Sequence, residues 1–112
     1  MADIKVDSNV NDLLSALEKG KRNALTAIGS SAETYAKKET PVDTGRLRNS
    51  ISHSVDGEAA YIGSNVEYAP YVELGTNRAK AHHMLQKAAT EHSAEYKRLS
   101  EDAVYSAINN SQ

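Results

Sequence analysis

Cysteine, phenylalanine and tryptophan are absent from this chain of 112 residues, and proline occurs twice. Without cysteine there can be no disulfide frame and no thiolate metal site. Without Phe or Trp, the six tyrosines are the only aromatic anchors. Leu, Ile and Val total 20 residues, and 16 alanines supply much of the remaining apolar count. That predicts a thin core. A chain of this size buries roughly 65% of its unfolded surface on folding, and small side chains do much of that burying here. A lone subunit should be marginally stable. A net charge of −2 does not fit a disordered chain, which combines low hydrophobicity with high charge. The chain reads as one small folded domain, residues 1–112, that gains burial by association; residues 1–7 and 109–112 are expected to fray.

Charge of one sign is missing too. Acids and bases number six and six in residues 1–40, five and four in 41–80, and four and three in 81–112. Lys19, Lys21 and Arg22 form the one dense basic cluster, and at helical spacing it reads as a solvated face. Sequence-independent nucleic-acid binding needs clustered Lys and Arg, so nucleic acid is not an expected direct partner. No apolar stretch approaches the ~20 residues of a membrane span. The opening MADIKVDSN has no basic segment followed by an apolar run, so no secretory leader is expected and the chain should stay in a cytoplasm.

What is present is periodicity around an irregular middle. Val10, Leu13, Leu14, Leu17, Ala24, Leu25, Ile28, Ala32 and Tyr35 recur at three- and four-residue steps, which predicts an amphipathic helix. Ser8 suits its N-cap and Asp12 its first turn. Thr40-Pro41 should end it, because the residue before proline avoids helical geometry. Such a helix has about thirty residues and spans roughly 45 Å, too long for the rest of the chain to cover. Gly20 and Gly29 lie inside it, marking either close packing or a bend.

The window from Thr40 to Thr76 holds four of the six glycines, both prolines and three tyrosines. Asp43, Thr44 and Gly45 read as a turn. Leu47, Ile51 and Val55 then predict a strand over about 48–55, and Asp56-Gly57 a hairpin. A returning strand, Ala59–Gly63, should place Tyr61 and Ile62 on opposite faces and stop at Gly63. Tyr68–Leu74 reads as a short helix with Pro70 in its first turn and Gly75 as its stop. Thr76–Lys80 is a polar loop, and a last helix is expected from Ala81 or His82. The fold class is α+β: long helix, β-hairpin or small antiparallel sheet, short helix, long helix. Two strands need helices against one face, and an open edge invites a neighbour.

No catalytic pattern emerges. His82, His83 and His92 lack the spacing of a metal site, and His92 falls on the apolar stripe as a packed or interface histidine. Ser52, His53 and Asp56 cannot form a triad, since alternate strand residues face opposite sides and no nucleophile elbow is present. Asp43, Glu67 and Glu73 are carboxylates without an expected deep pocket. No cofactor, metal or catalytic residue is expected. The candidate site is instead a recognition surface: Arg46, Arg48, Tyr68, Pro70, Tyr71 and Glu73, rich in residue types that anchor interfaces. Asp43, Thr44, Gly45, Gly63 and Gly75 are its structural turns.

The two segments TPVDTGRLRNSI and IGSNVEYAPYVELGT resemble the tail-component family of long-tailed bacteriophages, the small neck or head–tail joining proteins. The resemblance covers about Glu33 to Leu99 and is carried by Asp43, Thr44, Gly45, Leu47, Tyr68, Ala69, Tyr71, Glu73 and Gly75. It departs from the family at the short loop after Gly75 and at His82-His83-Met84-Leu85, where a proline and an aromatic are expected. It implies a virion or prophage structural protein, made in the host cytoplasm, that assembles into a homo-oligomeric ring and contacts neighbouring neck and tail proteins. None of the matching positions is implied to be catalytic. The alternative, from a different class, is a small regulatory module binding a host protein or nucleic acid; its binding to nucleic acid would fall steeply with salt.

Overall fold

The computed structural model describes residues 10–42 and 44–110. Helix α1 spans Val10–Glu39, 30 residues without interruption, as the periodicity and Pro41 predict; the proposed cap Ser8 lies outside the described residues. Every buried residue of α1 is small: Ala16, Gly20, Ala24, Gly29, Ala32 and Ala36. Ala16, Gly20 and Ala24, and then Ala32, Ala36 and Thr40, fall on one four-residue ladder, which drifts about 40° around the helix at each step. Gly20 meets Val104 and Ala107 of the C-terminal helix, and Ala16 lines a groove with Ala107. Ala36 belongs to the main buried cluster, and the buried Thr40 reaches the Met84 sulfur. The Thr40 hydroxyl donates to the Ala36 carbonyl at 2.6 Å, so this buried polar group is satisfied where the helix ends.

The expected strand over 48–55 is corrected. Residues Arg46–Ser50 form a short helix, α2, and strand β1 occupies only Ser52–Val55. Leu47 and Ile51 stand four apart, a spacing that satisfies one face of a helix as well as one face of a strand. Helical geometry wins because Gly45, at φ 84°, turns the chain in. The Thr44 hydroxyl then accepts from Arg46 N, and Asn49 N donates to the Gly45 carbonyl. Strand β2, Ala60–Gly63, returns antiparallel, pairing His53 with Ile62 and Val55 with Ala60. The hairpin turn is held by the Asp56 carboxylate, which accepts from Glu58 N, Ala59 N and the Tyr61 hydroxyl. Those bonds, the two backbone amides foremost, keep its pKa below the usual carboxylate value. Tyr61 faces solvent while Ile62 packs inward, as the alternation predicts.

Helix α3 covers Ala69–Leu74, α4 Met84–Thr90 and α5 Ser93–Asn110. The single last helix expected from Ala81 or His82 therefore starts at Met84 and is broken at Glu91–His92. There the His92 ring stacks on Tyr35, with centroids 3.5 Å apart and planes 4° off parallel. The Tyr35 hydroxyl also donates to the Glu95 carboxylate, which raises the phenol's pKa. The Tyr96 hydroxyl donates back to the Ala88 carbonyl across the break. Helical structure continues through Asn110, two residues into the tail expected to fray. Residues 1–9 and 111–112 lie outside the described residues.

Contacts of Tyr35 with Glu95 and of Gly20 with Val104 and Ala107 show that α5 runs antiparallel to α1. The main core sits at the C-terminal end of α1, where Ala36, Leu47, Ile51, Val66, Ala69, Met84 and Ala88 cluster. Its position at one end makes the chain long: the radius of gyration is 19.9 Å, against about 13 Å for a compact chain of this size.

The two helical glycines mark close packing, and α1 is unbroken at both. A Cβ on Gly20 would lie 2.9 Å from the Val104 Cα, and one on Gly29 would lie 2.9 Å from the His53 ring. Gly20→Ala should therefore destabilise despite the ~1 kcal/mol helix-propensity gain. Overpacking against backbone costs about 1–3 kcal/mol. Thermal melts followed by circular dichroism should show Gly20→Ala melting lower than Gly57→Ala, whose added methyl meets nothing within 4 Å. Equal melting temperatures would refute the tight α1–α5 seam.

Candidate functional site

The two irregular sequence segments converge. Pro41, Val42, Thr44, Gly45, Arg46 and Leu47 from the first, with Tyr68 and Val72 from the second, line one open groove of about 510 Å³. Asp43 lies outside the described residues. Arg46 bridges the two segments. Its guanidinium donates twice to Glu67, at 3.1 and 2.9 Å, and lies 5.5 Å from the Tyr68 ring centroid. The paired hydrogen bonds hold the Glu67 carboxylate below its ordinary pKa and raise that of Arg46. Both groups are well exposed, so the fork orients Arg46 more than it stabilises the fold. Arg48 is exposed and makes no ion pair among the described residues.

Helix α3 divides its residues by direction. Ala69 is buried, and Tyr68 and Val72 pack against the core. Pro70, Tyr71 and Leu74 share the opposite, outward face; Tyr71 is 63% exposed and Leu74 70%. Pro70 sits in the first turn, where its missing N–H costs nothing.

Glu73 turns away from this face. Its carboxylate accepts from Leu85 N at 2.8 Å and Gln86 N at 3.0 Å, capping the start of α4. Helix α4 needs that service because its own N-cap residue, His83, has φ 50° and offers no side-chain cap. Two backbone bonds reinforce the link, His82 N to the Val72 carbonyl and His83 N to the Glu73 carbonyl. Gly75, at φ 79° and ψ 176°, begins the loop between the helices. Gly45 and Gly75 have positive φ, which explains the residue type. Gly63 has neither a positive φ nor a close neighbour; its place at the end of β2 does not demand glycine.

The remaining candidates do not gather into a reactive centre. His53 points inward, bonded through Nδ1 to Glu33 at 3.2 Å, whereas Ser52 is exposed and the Asp56 carboxylate is occupied in its turn. His82 is exposed, His83 half-buried, and His92 stacked on Tyr35. Among the described residues no group of three His, Cys, Asp or Glu could hold a metal. No helix among them is long and apolar enough to cross a membrane.

A second apolar surface lies at the far end of α1. Val10, Leu13, Leu14 and Leu17 are between 37% and 55% exposed. Its sequence signal is the length of the predicted helix, which outruns its partners. Nothing comparable foretold Leu74 or the capping by Glu73.

Residues 4–75 match a family model described as "Bacteriophage HK97-gp10, putative tail-component". The match spans α1 and both irregular segments and ends at Gly75, so the likeness read through to Leu99 is not carried beyond that point. No curated protein and no solved structure gives a match.

Proposed function

We propose a function for a chain that belongs to the HK97-gp10-like family of bacteriophage tail components: it is a structural adaptor of the head–tail neck. It oligomerises to join or complete the tail, touching neighbouring neck and tail proteins. The role is one of assembly rather than catalysis. The observation that carries this reading is the outward face of α3. Pro70, Tyr71 and Leu74 stand in solvent beside a groove formed by both family-matching segments. Tyrosine in such a position supplies a large, rigid contact at low entropic cost.

Tyr71→Ala should abolish or strongly reduce assembly while leaving the circular dichroism of the subunit unchanged, because so exposed a ring contributes little to the core. Light scattering and circular dichroism on the same samples decide it. Unfolding would place Tyr71 in the core, and intact assembly would remove this face from the interface. At the level of the particle, a phage lacking the gene should give separate filled heads and free tails by electron microscopy. Normal particles would refute a neck role.

A further inference from the structure

Among the described residues, Nδ1 of His83 is the one buried side-chain nitrogen or oxygen without a hydrogen-bond partner. His83 is also the one non-glycine residue there with positive φ, 50° with ψ 38°. Its amide donates to the Glu73 carbonyl on α3, and its carbonyl accepts from Lys87 N on α4. The backbone is thus held on both sides while the ring nitrogen stays enclosed. Charged and titratable groups on the surrounding elements offer Nδ1 nothing. The Glu73 carboxylate is taken by Leu85 N and Gln86 N. Lys87 pairs with Glu39 of α1 at 3.7 Å. His82, Lys80 and Arg78, in the same loop, are exposed.

A neutral imidazole carries one proton. With that proton on Nε2, the enclosed Nδ1 presents only a lone pair. A second proton must go to Nδ1 and makes a buried N–H with no acceptor, a state disfavoured by about tenfold or more. We propose that His83 is a proton-sensitive catch: neutral, it lets loop 75–83 close between α3 and α4; protonated, it drives the loop open. Four bonds are then released together. They run from His82 N and His83 N to α3, and from Leu85 N and Gln86 N to Glu73. Helix α3, with Pro70, Tyr71 and Leu74 on its outward face, is freed to shift against α4. The catch is a property of the single subunit and does not depend on a place in the neck.

Amide hydrogen exchange on the full chain, corrected for the intrinsic rate at each pH, reads the catch. Protection of Leu85 and Gln86 should fall about tenfold or more between pH ~7.5 and pH ~5.5, the span in which a histidine changes charge. That span lies above the ordinary carboxylate range. His83→Asn keeps a residue that tolerates positive φ and cannot take the proton, so its protection should be equal at both pH values. His82→Asn should respond as the unaltered chain does. Unchanged protection in the unaltered chain, or a fall that persists in His83→Asn, would overturn the proposal. Nitrogen NMR of the histidine rings gives a second reading that needs no substitution. Nδ1 of His83 should be bare at the higher pH, and its protonation should track the loss of protection. A proton already on Nδ1 at the higher pH, or a loss that tracks another histidine, would overturn the catch.

Discussion

Ile51→Ala should lower the stability of the subunit by about 2–5 kcal/mol, the range for deleting a buried aliphatic side chain together with the cavity it leaves. Ile51 is 2% exposed, and with Met84 it is one of the two largest side chains so completely buried. It stands where α2 hands over to β1, against Ala36, Leu47 and Val66 of the same cluster. The residue that α1 contributes to this cluster, Ala36, is too short to fill the gap. Single domains retain only about 5–15 kcal/mol in total, and this one has a small core. Urea titration should show a much lower midpoint with the slope unchanged. Ile51→Val, losing one methylene, should cost about 0.5–1.5 kcal/mol. Equal, small losses from both variants would mean that the cluster around Ile51 does not anchor the fold.

Gly75→Ala should be the most damaging glycine substitution, at about 2–4 kcal/mol from backbone strain and overpacking together. A φ of 79° with ψ 176° belongs almost solely to glycine. The added Cβ would also lie 2.7 Å from Ala81 N and 2.9 Å from the Ala79 carbonyl oxygen. Both are backbone atoms, so no side-chain rotation relieves the clash. The loop must open, and with it the bonds that tie His82 and His83 to α3. Hydrogen exchange should then accelerate at the amides of Leu85 and Gln86, which Glu73 caps. Gly63→Ala is the control, since it meets nothing within 4 Å. If the two variants melt together, Gly75 is not the constraint on this loop.

Much of the fold was legible in the sequence, for identifiable reasons. Helix α1 has a long period and a proline stop. The Asp56-Gly57 turn and the Pro70 and Gly75 boundaries of α3 carry local chemistry that names them. Leu47 and Ile51 misled because a step of four fits both kinds of element. The break at Glu91–His92 has no glycine or proline to announce it; stacking on Tyr35, far away in sequence, accompanies it. For the candidate surface, some of the proximity was legible in the sequence and the directions were not. Arg46 and Tyr68 do meet, and Tyr71 does stand in solvent. Glu73 could not be told apart from its neighbours, because the amides it caps lie 12 and 13 residues further on. A cap at that range leaves no local signature.

The length of α1 has a mechanical consequence. Its base is gripped by the core around Ala36 and Thr40, while its first turns carry leucines into solvent. A tilt of about 5° at the base moves the tip of a 45 Å arm through roughly 4 Å, more than the reach of a van der Waals contact. Gly20 and Gly29, filled by α5 and His53, brace the arm along its length. Residues buried inside the subunit can therefore aim the leucines at its tip.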